Sequence, residues 1–148
     1  MILDKRVEFA DDVAVTTTGA TVTQNVGNQV DLSVDGLNIG TVDDIFVVIE
    51  VGTAITSTGA ATVDFRLVSG DAAAISTTGA ATVHYTTGAV GKASLVKGYQ
   101  VSFPLPRGTY KRYLGIQTVS GTALVDTGKI NAYLVNQPPF NKAYKRGD

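Results

Sequence analysis

Thr62-Val63-Asp64-Phe65-Arg66-Leu67 alternates polar and apolar side chains at every step. Successive residues of a β-strand face opposite sides, so Val63, Phe65 and Leu67 belong on a core and Thr62, Asp64 and Arg66 face away from it. Val30, Leu32 and Val34 alternate in the same way with Asp31, Ser33 and Asp35. So do Val101, Phe103 and Leu105 with Gln100, Ser102 and Pro104. The run Ile45-Phe46-Val47-Val48-Ile49 has no polar member. It reads as a strand covered on both faces, central in a sandwich or capped by a partner. Further strands are expected at Val13–Thr16, Thr21–Val26, Thr82–Thr86, Tyr113–Val119 and Lys129–Val135. Helical periodicity is almost absent. Asp71–Ile75 offers one turn at most, and Gly91 interrupts Ala89–Lys97.

Between these runs lie turn residues, among them Gly19, Asp35-Gly36, Gly59, Gly70-Asp71, Gly79, Gly108 and Gly121. Eight to ten strands punctuated at this spacing predict an all-β domain: a sandwich, a jelly roll or a barrel. Three phrases echo one another: Thr18-Gly19-Ala20-Thr21-Val22, Ser57-Thr58-Gly59-Ala60-Ala61-Thr62-Val63 and Thr77-Thr78-Gly79-Ala80-Ala81-Thr82-Val83. A β-solenoid would produce such an echo. However, residues 95–148 do not continue it, so shared turn chemistry on entry to a strand is the simpler account. Gln137-Pro138-Pro139 ends strand pairing, because proline has no N–H to give. The expected organisation is a β-sandwich domain over 1–137 and a C-terminal tail over 138–148.

Composition narrows the function classes. With 148 residues the chain is long enough for one domain with its own core. The absence of cysteine removes disulfides, thiol catalysis and thiolate metal sites. A formal net charge of −1 does not predict binding to nucleic acid or to anionic membranes. Residues 1–20 hold no apolar run of signal-peptide length, and no stretch approaches the ~20 apolar residues of a membrane span. Val (20) and Thr (19), both β-branched, exceed a quarter of the chain, while charged residues make up only 17%. Ordinary domains carry about 25% charged residues, so the chain reads either as an edge-rich protein that would aggregate alone or, the favoured reading, as one whose surface is partly covered by partners.

The search for chemistry finds little. His84 is the only histidine; it falls on the polar row of its strand and has no nucleophile or orienting group beside it in sequence. Asp11-Asp12 and Asp43-Asp44 are adjacent pairs, which point to opposite faces of a strand and lack ligand spacing. No phosphate loop, nucleophile elbow or dinucleotide fingerprint is present. No catalytic residue, cofactor or metal is therefore assigned, and the chain is read as a non-enzyme. The terminal Arg146-Gly147-Asp148 matches a receptor-read tripeptide, but three residues are too few to carry an assignment.

Several phrases, in their order and spacing, resemble a known family. They are Met1-Ile2-Leu3-Asp4 followed by Phe9-Ala10-Asp11-Asp12, and Phe46-Val47-Val48-Ile49-Glu50-Val51 leading into Ala61–Leu67. Later come Pro104-Leu105-Pro106-Arg107-Gly108, Arg112-Tyr113-Leu114-Gly115-Ile116 and Gly128-Lys129-Ile130. Together they are similar to the Bordetella-phage-type capsid cement proteins of short-tailed phages. The resemblance implies a jelly-roll-like antiparallel sandwich on the outer surface of the virion's icosahedral head. It also implies the major capsid protein as partner and a homo-oligomer, with a dimer favoured. The protein would be made in the host cytoplasm.

Chain ends and loops are the parts free to reach a neighbour, and Arg and Tyr are enriched at interfaces. The expected contact residues are therefore Met1, Ile2, Leu3 and Phe9 at the start and Arg107, Tyr110, Arg112 and Tyr113 in a loop. Phe140, Lys142, Tyr144, Lys145 and Arg146 complete the set in the tail. A receptor- or carbohydrate-binding jelly roll of a phage fibre or head is the principal alternative, and a self-assembling filament subunit the next.

Overall fold

A computed structural model of the chain describes residues 5–33, 39 and 44–136. After a single 3-10 turn at Lys5–Val7 come β1 (Glu8–Ala14), β2 (Thr23–Asp31), β3 (Phe46–Thr56), β4 (Thr62–Gly70) and β5 (Thr82–Thr86). They are followed by β6 (Val90–Gly91), β7 (Gln100–Pro104), β8 (Tyr113–Gly121) and β9 (Thr127–Val135). All pairings are antiparallel. The first sheet has the order β1-β9-β3-β7 and the second β2-β8-β4-β5, with the short β6 also on β4. The first four strands alternate between the sheets, and the late strands β8 and β9 insert beside early ones. This is the two-Greek-key wiring of a jelly roll.

The alternation seen in sequence decides which side chains meet between the sheets. Val47, Ile49 and Val51 of β3 and Ile130, Ala132 and Leu134 of β9 face Val63, Phe65 and Leu67 of β4 and Leu114 and Ile116 of β8. Both open sides of the sandwich are closed. Tyr85 of β5 stacks on Phe103 of β7 with ring centroids 3.6 Å apart. On the other side β1 lies against β2, where Gly27 passes so close to Phe9 that a Cβ would sit 2.0 Å from its carbonyl oxygen.

Gly27 also corrects the sequence reading. Separate strands were expected at Thr21–Val26 and from Val30, but one strand, β2, covers both. The register shifts between Val26 and Val30, and Gly27 takes a φ of 64°. Glycine adopts that conformation with the least strain, so the residue makes a β-bulge that keeps both stretches in one strand. Neither candidate helix forms: Asp71–Ala74 is a bend, and β6 occupies Val90–Gly91.

The solenoid reading is also excluded, because the echoed phrases open three different strands of one sheet. Two of them do share turn chemistry. Gly59 N–H donates to Ser57 Oγ at 3.0 Å, and Thr78 N–H donates to Ser76 Oγ at 3.3 Å. These are the local side-chain turns that favour serine and threonine at loop starts.

The β4–β5 connection does not project into solvent. It folds back over the outer face of the second sheet. Asn25 Nδ2 donates to Ile75 O at 2.7 Å, and Gln117 Nε2 donates to Ser76 O at 3.0 Å. Ile75 is 2% exposed and sits over Gly70 and Gly115, where any larger side chain would meet it.

Candidate interaction surface

The strand directions sort the connections into two groups. The β2–β3, β4–β5 and β7–β8 connections leave from one end of the sandwich, which we call the upper end. The start of β1 and the end of β9 lie there too, since Glu8 pairs with Tyr133 and Val135 with Phe46. The lower end carries the β1–β2, β3–β4 and β8–β9 turns.

At the upper end, loop 105–112 is pinned at three points. Leu105 N–H donates to Ile45 O at 2.7 Å and Leu32 N–H donates to Arg112 O at 2.8 Å. Between them, Lys111 N–H donates to Ser69 Oγ at 3.2 Å. Tyr110 donates its hydroxyl to Pro106 O, closing the loop on itself. The Tyr110 ring lies 4.2 Å from that of His84, whose Nε2 is 2.7 Å from Ser69 Oγ. Burial lowers the pKa of His84 and raises that of Tyr110, because removal from water disfavours each charged form. Lys111 Nζ reaches Asp71 Oδ2 at 2.9 Å, tying this loop to the β4–β5 connection.

Beside it, Arg112 grips Asp31 through two nitrogens, Nη2 to Oδ2 at 2.8 Å and Nε to Oδ1 at 3.1 Å. Its guanidinium also lies 5.0 Å from the centre of the Tyr113 ring. Asp31 accepts from Ser33 N–H and Oγ as well. Arg112 first, and then Ser33, hold the Asp31 carboxyl far below the usual carboxylate range; Asp31 in turn raises the pKa of Arg112. An open groove of about 320 Å³ runs between Lys5–Glu8 and the Asn28–Asp31 end of β2.

The expected contact residues divide into three groups. Arg107, Tyr110, Arg112 and Tyr113 do come together at the upper end. Arg107 and Arg112 are exposed there, while Tyr110 and Tyr113 are half-buried. Phe9 is a correction: it is 0% exposed and belongs to the core. Its ring sits on the inward row of β1, and Phe9 O receives the close approach of Gly27. Met1, Ile2, Leu3, Phe140, Lys142, Tyr144, Lys145 and Arg146 lie outside the described residues.

His84 is another correction. It was expected on the polar outward row, but β5 has an extra residue where the register shifts between Leu67 and Val68. That shift puts His84 and Tyr85 on the same side. Ser69 and the Asp31–Arg112 pair could not be found from sequence, because their partners are 15 and 81 residues away.

Among the described residues no group of three or more His, Asp or Glu side chains is placed to hold a metal ion. Ser69 beside His84 is a nucleophile–base pairing by residue type, but Ser69 is 0% exposed and its oxygen already accepts from Lys111. No helix among the described residues is long and apolar enough to cross a membrane.

The fold and this surface define a jelly-roll protein in which exposed Arg107 and Arg112 and half-buried Tyr110 and Tyr113 are gathered at one end of a closed sandwich. The chain belongs to the Bbp16 family, a Bordetella phage protein family whose model matches residues 9–134. The match runs from the second residue of β1 to the penultimate residue of β9, so it covers the whole sandwich. No curated protein matches the chain.

Proposed function

We propose that this phage protein is a capsid cement protein. It binds the outer surface of an icosahedral head and bridges major capsid subunits, and it does so without catalysis. The observation that carries this reading is the gathering of loop 105–112, the β4–β5 connection, the start of β1 and the end of β9 at one end of a closed sandwich. A rigid body with several anchored loops at one end suits simultaneous contact with more than one subunit. Once the first contact forms, the second becomes intramolecular, and modest affinities multiply. Arg107 supplies exposed positive charge at that end, Arg112 an exposed guanidinium paired with Asp31, and Tyr110 and Tyr113 aromatic surface, the residue types that concentrate binding energy. Copies of the protein associate with one another on the head, most simply as dimers.

The test uses purified protein and expanded heads that lack it. Co-sedimentation at a fixed ratio, with a rise in the melting temperature of the heads, is the expected result. Saturable binding without stabilisation favours a displayed receptor-binding module. Absence of binding, with signal on a glycan array, overturns the proposal.

A further inference from the structure

Among the described residues, two buried side-chain atoms have no hydrogen-bond partner: Gln24 Nε2 and Thr118 Oγ1. They belong to residues that stand directly opposite one another, Gln24 on β2 and Thr118 on β8. Opposed residues of an antiparallel pair point to the same side of the sheet. Here that side is the core. Ile116, two residues from Thr118 on the same row, is buried, and so is Val26, its partner on β2. On its other flank Thr118 pairs with the buried Phe65 of β4. Thr118 itself is 2% exposed.

The polar groups around this pair complete their hydrogen bonds. Ser120 Oγ, next on the inward row of β8, accepts from Val22 N–H at 3.0 Å. Thr17 Oγ1 accepts from Val125 N–H at 2.9 Å and donates to Gly19 O at 3.0 Å. Gln24 Nε2 and Thr118 Oγ1 are the exceptions, and they occur together. An amide or hydroxyl taken out of water without a partner is destabilising, most of all beside rings and aliphatic side chains. One shared partner would satisfy both atoms.

We infer that Gln24 and Thr118 hold an internal water molecule between the sheets, as a fixed part of the fold. The water accepts from Gln24 Nε2 and shares a hydrogen bond with Thr118 Oγ1, which can donate or accept. No hydrogen bond joins the two side chains directly. A water oxygen reaches each partner at about 2.8–3.0 Å and so spans a gap that direct contact does not close. Buried waters make about two to four hydrogen bonds to polar groups that otherwise lack partners, and this pair supplies two. The site also has a structural use. β2 is an edge strand, and its register on β8 shifts just after Val26. A water bridging Gln24 to Thr118 ties β2 to β8 on the inner face, immediately before that shift.

Oxygen-17 relaxation dispersion, which counts waters of long residence, tests this on the unmodified chain. At least one such water is expected, and none overturns the inference. The double variant Gln24→Met/Thr118→Val should hold one fewer, and an unchanged count in the folded variant overturns it too. Urea unfolding of the single and double variants gives an independent reading. Each single change removes one partner of the water and leaves the other polar group buried, so each should raise the unfolding constant about tenfold. The double change removes both polar groups, so its effect should fall about tenfold short of the product of the two. A dry pair behaves in the opposite way, because each single change then deletes an unsatisfied group and lowers the unfolding constant. That result, or simple multiplication of the two effects, overturns the inference. None of these readouts involves heads, so failure here leaves the capsid proposal standing, and the reverse.

Discussion

Ser69 Oγ and His84 Nε2 lie 2.7 Å apart, and they meet because β5 carries one more residue than β4 needs at that point. The same serine oxygen accepts from Lys111 N–H, so a single buried hydroxyl joins β4, β5 and the β7–β8 loop. The groups in contact with His84 are Ser69 and the Tyr110 ring, and among the described residues no carboxylate is paired with it to favour the imidazolium.

This arrangement makes stability sensitive to mild acid. Burial lowers the His84 pKa below its ordinary value of 6.5, so the folded state holds the neutral ring while the unfolded chain takes up a proton first. Stability is then fully present above about pH 6.5 and declines as pH falls towards the lower folded value. Thermal melts between pH 7.5 and 5.5 should show a falling midpoint, and His84→Gln should flatten that dependence. Equal slopes in the two proteins would remove His84 as the cause.

Among the described glycines, Gly27 leaves the least room for a side chain, because β2 passes close to β1 there. Gly27→Ala meets Phe9 O and also forces a left-handed φ, which should cost about 2–4 kcal/mol in urea unfolding. Gly79→Ala has a positive φ but open space around it, so its cost should be nearer 1 kcal/mol. Similar losses at both sites would mean that the contact with β1 contributes little.

Ile75 is a core residue placed outside the core. Ile75→Ala should destabilise by about 2–4 kcal/mol, as for other buried large-to-small changes. Amide exchange should accelerate first in residues 71–81, which would lose their apolar anchor while Asn25 and Gln117 keep their hydrogen bonds. Uniform acceleration across the second sheet would show that the connection and the sheet open together.

Arg107 separates binding from stability. Its side chain is exposed at the upper end, so Arg107→Glu should change unfolding free energy by less than about 0.5 kcal/mol. On the capsid reading it should still weaken co-sedimentation with heads, most clearly at low salt. Tyr110→Phe should instead cost about 1 kcal/mol of stability through the lost hydrogen bond to Pro106 O. If Arg107→Glu binds heads like the parent protein, the upper end is not the contact surface.

The strand class and the inward rows were legible in the sequence because they depend on local alternation. Val63, Phe65 and Leu67 face the core, and so do Val47 and Ile49, as a period of two requires. The unbroken run at Ile45–Ile49 is an interior strand of its sheet, flanked by β9 and β7. The same periodicity cannot reveal a bulge. One extra residue reverses the facing of every later residue in the strand, which is why His84 was expected outward and why Thr21–Val26 was expected to end before Gly27.

Phe9 shows the other limit. A large apolar residue near a chain end suits a contact surface or a core equally well, and only the position of β1 against β2 decides. Alternation and turn residues thus determined an all-β chain of about nine strands. The jelly-roll wiring, the Ser69–His84 contact and the Asp31–Arg112 grip were decided by the tertiary structure alone. They join residues far apart in the chain, and no local preference of the chain carries information about such distant partners.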